Sequence, residues 1–140
     1  MDVIDSFSGI YEFLSNFYPS PIDVDGIEFP TVENAFQARK VELYHQRLEF
    51  ADLTPGQAKR LGRKVKLRDG WNDMRIDVME ELLRIKFSNP FLRQLLIDTG
   101  NRILIEGNNW NDTFWGMCNG QGQNHLGILL MKIRKELKKE

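Results

Sequence analysis

At 140 residues, with 41% hydrophobic and 28% charged side chains, the chain has the size and composition of one soluble globular domain with a real core. Its 19 basic and 20 acidic side chains leave a formal net charge of −1, which argues against coating nucleic acid by bulk charge but leaves room for a local basic pocket. No run approaches the ~20 apolar residues of a membrane span, and the start Met1-Asp2-Val3-Ile4-Asp5 lacks the pattern of a signal peptide. A lone Cys118 excludes an internal disulfide, so the expectation is a cytoplasmic protein with no membrane partner.

In chain order, Val3 to Phe7 reads as a strand, followed by an aromatic-rich stretch from Tyr11 to Tyr18 closed by Pro19 and Pro21. Ile22 to Phe29 alternates like a hairpin, and Asp25-Gly26 is a favoured type I′ turn pair, which predicts a small antiparallel element. Thr31 is a capping residue for a helix expected from Val32 to about Tyr44. A short helix or turn through Gln46–Ala51 follows. Thr54-Pro55 starts another helix, which Gly62 weakens or ends. Lys66 to Gly70 is a loop. Trp71 to Phe87 is the clearest long helix, with Trp71, Met74, Val78, Leu82 and Ile85 as its core stripe. Asn89-Pro90 caps and starts a helix to Asp98, stopped by Gly100. Arg102 to Glu106 is a strand, 107–124 a polar Gly- and Asn-rich loop, and a last helix starts near His125. There is no internal repeat and no linker.

Two stretches hold the chemistry. On a helix, Glu33, Gln37 and Lys40 fall at i, i+4 and i+7 on one face. A carboxylate, an amide and an amine in one stripe are tools for holding and cleaving a polar substrate, although on spacing alone a solvated face is the commoner meaning. The second stretch is the loop with Asp112, Trp115 and Gly116, which runs through Gly120 and Gly122 to Asn124 at a helix start. An unpatterned loop of this length is uncommon in a domain unless it has a task. Asp112 beside Trp115 reads either as a carboxylate against an aromatic wall or, slightly preferred, as an Asx turn beside a core tryptophan. The helix entrance at Asn124 reads equally as an anion site or a plain cap. The basic run Lys59–Arg68 reads first as a solvated face and second as a phosphate contact. His45 and His125 have no second ligand at metal spacing, so neither metal nor cofactor is expected.

Taken together and in order, Ser15-Asn16-Phe17-Tyr18, Gly26, Glu33 to Lys40, Ala58 to Arg63, Trp71, Val78-Met79, Lys86-Phe87, Asn89-Pro90, Asp112, Trp115-Gly116, Asn124 to Gly127 and Leu129 to Arg134 resemble the signature of the NADAR (YbiA-like) family. The resemblance runs from about Phe13 to Leu137. It implies a single compact α+β domain over 1–140, mostly helical with a few short strands. It also implies an N-glycosidase, a hydrolase of the bond between a ribose carbon and a base-like nitrogen. Two substrates go with the family: ADP-ribose on guanine in nucleic acid, DNA or RNA, taken here as the first expectation, and a phosphorylated ribosylamino-pyrimidine intermediate of riboflavin synthesis. A non-catalytic ADP-ribose or nucleotide reader is the rival reading.

By that resemblance Glu33, Lys40 and Asp112 are the catalytic candidates, and Asn16, Phe17, Gln37, Arg63, Trp115, Gly116 and Asn124 the substrate-binding ones. Glu33 or Asp112 would stabilise the cationic ribose or orient water. Lys40 would act as an acid, as a phosphate ligand, or as a nucleophile at the sugar's C1. Arg63 and the entrance at Asn124 would bind phosphate, while Trp115 and Phe17 would stack on a ring. Gln37 stays open between orienting its neighbours and packing. Two departures stand out: Asn34 where the family commonly has His, and Met117-Cys118-Asn119 where an acidic residue and glycines are common.

Overall fold

The computed structural model describes residues 2–139; Met1 and Glu140, the outermost residues of the expected 1–140 domain, lie outside the described residues. In chain order the elements are β1 (Val3–Ile4), a 3-10 helix (Gly9–Leu14), β2 (Ile22–Val24), β3 (Ile27–Phe29), α1 (Val32–Ala38), α2 (Tyr44–Ala51), α3 (Pro55–Gly62), α4 (Trp71–Lys86), α5 (Pro90–Ile97), β4 (Ile103–Leu104), β5 (Gly107–Asn108), β6 (Met117–Cys118) and α6 (His125–Leu137). Helices carry most of the regular structure and the strands form short pairs, an α+β arrangement. The chain divides into two units. One joins the residues up to Ser15 to those from Phe87 onward; the other is 16–86.

In the unit of residues 16–86, β2 and β3 pair antiparallel with Ile22 opposite Phe29 and Val24 opposite Ile27. Asp25 (φ 54°) and Gly26 (φ 83°) both take the left-handed conformation that a type I′ turn requires. Ile22, Val24, Ile27 and Phe29 are all buried, while Asp23 and Glu28 face out. Thr31 caps α1 by accepting the Asn34 N–H at 3.1 Å. Thr54 and Gln57 close a capping box at the start of α3, with Pro55 in its first turn. The α1 helix packs against α2, α3 and α4 and is the centre of this unit.

The first helix ends at Ala38 instead of running on to Tyr44. The Arg39 N–H is shared between the carbonyls of Ala35 and Phe36, and the N–H groups of Lys40 and Val41 reach back only three residues, to Gln37 and Ala38. The coil tightens and stops there. The Lys40 carbonyl is taken instead by the Arg68 N–H at 2.8 Å, so the Lys66–Gly70 loop seals the helix end.

In the other unit, Asn89 caps α5 through the N–H groups of Phe91 and Leu92. Here α6 packs on β4 and α5, burying Leu126, Leu129, Leu130 and Ile133. The two strands expected at Val3–Phe7 and Arg102–Glu106 shrink to the two-residue parallel pair β1–β4. A second parallel pair, β5–β6, lies inside the stretch expected to be plain loop. Asn124, expected as a cap for α6, occupies that position at φ 54° without a side-chain capping bond.

Candidate active site

Every residue of α1 is buried, including its polar ones: Glu33 is 8% exposed, Gln37 4% and Asn34 0%. A solvated face, the commoner meaning of the Glu33–Gln37–Lys40 spacing, does not describe this helix. Val32, Ala35 and Ala38 supply the apolar contacts that hold it at the centre of its unit. Polar groups so placed demand partners.

The Gln37 side-chain N–H donates to the Glu33 carboxylate at 2.6 Å. The Glu33 backbone N–H donates to the Asn16 carbonyl at 3.0 Å, which draws the Asn16-Phe17-Tyr18 turn onto the start of α1. Asn16 is itself buried, its amide N–H on the Met79 sulfur at 3.5 Å and its amide oxygen without a hydrogen-bond partner among the described residues. Phe17 is 41% exposed, with the Lys59 ammonium 5.9 Å from its ring centre.

Lys40 lies past the end of α1, in the turn rather than on the stripe, yet it stays electrostatically coupled to Glu33. Burial lowers its pKa from the ordinary lysine value. The Glu33 carboxylate opposes that shift, and the cations Arg63, Lys59 and Arg75 reinforce it. Six expected site residues therefore lie in this unit: Asn16, Phe17, Glu33, Gln37, Lys40 and Arg63. A half-buried amine beside a carboxylate, in a neighbourhood of three further cations, suits a negatively charged substrate and proton transfer.

Two residues of this unit read differently from the sequence. Asn34 donates to the carbonyls of Phe50 and Leu53, both at 2.8 Å, and accepts from the Thr31 hydroxyl at 2.6 Å. Its amide ties α1 to the end of α2, so this departure from the family pattern is an internal brace. Lys86 was not among the candidates, yet it is 1% exposed, with its ammonium 5.7 Å from the centre of the Tyr18 ring. Burial pushes its pKa down to about 7. The signal was present in the sequence: Lys86 continues the α4 stripe through Val78, Met79, Leu82 and Leu83, where an apolar residue belongs.

The other expected residues, Asp112, Trp115, Gly116 and Asn124, lie in the unit that contains Phe87 onward. One Asp112 carboxylate oxygen accepts the N–H groups of Phe114 (3.1 Å) and Trp115 (2.9 Å), which is an Asx turn. Trp115 is half-buried and meets Phe114 edge-on, with ring centres 4.8 Å apart. A Cβ at Gly116 would collide with Glu106, so only glycine fits there. The Asn124 amide accepts the Glu106 N–H and donates to the Leu104 carbonyl, both at 3.0 Å. Among the described residues no group of three His, Cys, Asp or Glu side chains is arranged to hold a metal, and no helix is long and apolar enough to cross a membrane.

The NADAR domain matches residues 6–138. The chain belongs to the NADAR family. Among proteins similar to it, the N-glycosidase YbiA of Escherichia coli strain K12 is 40% identical over 138 residues, covering 94% of this chain and 85% of that protein. An N-glycosidase of Nostoc punctiforme is 35% identical, covering 91% and 86%. A riboflavin biosynthesis protein of Vibrio vulnificus is 41% identical over 133 residues, which are 89% of this chain and 35% of that protein. The NMR structure of E. coli YbiA superposes with a TM-score of 0.87 at 39% identity, covering 99% of this chain and 86% of that one. At this identity and coverage the NADAR chain is, like those N-glycosidases, a hydrolase acting on N-glycosyl bonds.

Proposed function

We propose that this enzyme cleaves the N-glycosidic bond of a phosphorylated ribosyl compound at the Glu33–Lys40 centre. The observation that carries the proposal is a buried carboxylate, held by Gln37, coupled to a half-buried lysine with Lys59, Arg63 and Arg75 nearby. The C1–N bond breaks, the base nitrogen takes a proton, and a water oxygen bonds to C1. Glu33 faces the positive charge that develops on the ribose and orients the water. Lys40 supplies the proton, and the proton released by the attacking water returns to Lys40 by way of Glu33. The lowered pKa of Lys40 favours proton transfer over service as a permanent phosphate ligand. Arg63 and Lys59 hold the phosphate, and Phe17 offers its ring to the base. Asp112 is left outside the acid–base step because it already serves its own loop. The family match across 6–138 supports treating 1–140 as one functional domain, and the single cysteine suits a cytoplasmic setting.

Of the two substrates, the riboflavin name of the Vibrio relative favours the ribosylamino-pyrimidine phosphate. The exposed Phe17 beside Lys59 favours the second reading, ADP-ribose on guanine, because an open ring and cation suit a substrate carried on a polymer. Incubation of the full chain with each compound tests both. Release of ribose 5-phosphate supports the first and release of ADP-ribose with intact guanine supports the second. Release from neither overturns the proposal. Borohydride added during turnover checks the role of Lys40: an adduct on Lys40 would replace the acid by a covalent nucleophile.

A further inference from the structure

We infer that Gly62, at the end of α3, is the seat that orients Gln37 and thereby positions the Glu33 carboxylate. The inference rests on the reading of Glu33 as the reacting carboxylate. Gln37 is 4% exposed, and its amide has two ends with opposite needs. The N–H end donates to Glu33 at 2.6 Å. The oxygen end is buried without a hydrogen-bond partner among the described residues. The amide cannot turn over, because its oxygen would then face a carboxylate that only accepts. The oxygen therefore stays buried without a donor, on the side where a Cβ at position 62 would stand.

Gly62 is not there for its backbone, since its φ lies outside the left-handed region. Glycine in a helix is unfavourable relative to alanine, so its presence in α3 needs another reason. Space is that reason. A Cβ at position 62 would stand 2.8 Å from the Gln37 amide carbon and closer still to its oxygen. Any side chain there drives the amide off Glu33. Gln37 is thus a positioning residue and Gly62 its support; neither touches substrate in this account.

The test is a double-mutant cycle of Gly62→Ala and Gln37→Ala in the full chain, read by kcat, KM, the pH dependence of kcat and NMR titration of the Glu33 carboxyl. Each single variant is expected to stay folded, to lower kcat by about ten- to a hundredfold with KM little changed, and to move the Glu33 titration upward, since the carboxylate loses a donor. In the double variant only the Cβ of residue 37 remains, 3.4 Å from a Cβ at position 62, so Gly62→Ala is expected to add nothing to Gln37→Ala in either readout. Additive losses, or a Gly62→Ala chain with the native Glu33 titration, would overturn the inference. The Glu33 titration needs no substrate and is read even if Gly62→Ala lowers the unfolding temperature. Full activity in Glu33→Gln would instead overturn the reading of the centre, and that outcome is distinct from an additive cycle.

Discussion

The start of α1 and the loop from Glu106 to Asn124 are both dense in polar side chains, and they use them in opposite ways. In the loop, the side chains serve the backbone. Asn108 braces its own turn by donating to the Asp112 carbonyl and accepting the Asp112 N–H, Asp112 holds Phe114 and Trp115, and Asn124 holds Glu106 and Leu104. At α1, Glu33 and Gln37 serve each other, Lys40 is coupled to Glu33, and the Asn16 amide oxygen has no hydrogen-bond partner among the described residues. A polar group bonded to backbone carries a shape. A polar group that faces another side chain and keeps buried capacity in reserve is available to a substrate. Asn34, one residue from Glu33, belongs by this criterion with the loop, because its amide is taken by two carbonyls.

The contrast is broken most forcefully at Glu33. Glu33→Gln is expected to lower turnover by about a thousandfold while the unfolding temperature changes little, because the amide keeps the shape and loses the charge. Lys40→Ala is expected to cost a similar factor. Product release by chromatography beside a thermal melt checks both, and activity within tenfold of the parent in either variant would contradict the assignment.

Asn124→Ala is the complementary test on the loop. It removes two hydrogen bonds and puts alanine at φ 54°, so a loss of about 2–4 kcal/mol is expected from urea unfolding. Turnover per folded molecule is expected to hold within a few fold. A variant of native stability that had lost activity would move Asn124 back among the substrate contacts.

Lys86→Met is next in size. The folded pKa of about 7 lies below the unfolded lysine value, so between the two the unfolded chain holds the extra proton. The cost of burying Lys86 is therefore full at and below pH 7 and fades as pH rises toward about 10. Lys86→Met removes this titration, so its stability relative to the parent is expected to fall as pH rises from about 7 toward about 10. Urea midpoints at a series of pH values check this, and a difference from the parent that is independent of pH would refute the buried-charge account.

Much of this was legible in the sequence because local rules decided it. Thr31, Thr54 and Asn89 cap where their side chains can reach the first-turn N–H groups, and Asp25-Gly26 turns where two positive φ values are needed. What could not be read was set by distant partners. The end of α1 at Ala38 depends on the Arg68 N–H, 28 positions beyond Lys40. The parallel pairs β1–β4 and β5–β6 join segments that carry no shared local pattern. Helical spacing singles out Glu33, Gln37 and Lys40. They come together although Lys40 is off the helix, because the tightened turn still keeps it within the field of Glu33. The burial of Lys86 follows from the register of the whole helix, which places this lysine in the apolar stripe, while its residue type alone points to the surface.

The smallest expected effect is also the most specific to the cationic neighbourhood. Arg63 is exposed and contributes to lowering the Lys40 pKa, second to burial among the lowering causes. Arg63→Ala removes that repulsion, so the Lys40 ammonium is stabilised and its pKa rises. The sign of the outcome does not depend on the role of the amine. A limb of the pH–rate profile that rises as Lys40 loses its proton and a limb that falls with the same event both move toward higher pH. Arg63→Ala is also expected to raise KM for the phosphorylated substrate by about tenfold, through loss of a charge-assisted contact. A profile that stays in place while KM rises would keep Arg63 as a phosphate contact and detach it from Lys40. A profile that moves while KM holds would do the reverse. Only the joint change supports one centre in which the same cation binds the substrate and tunes the lysine.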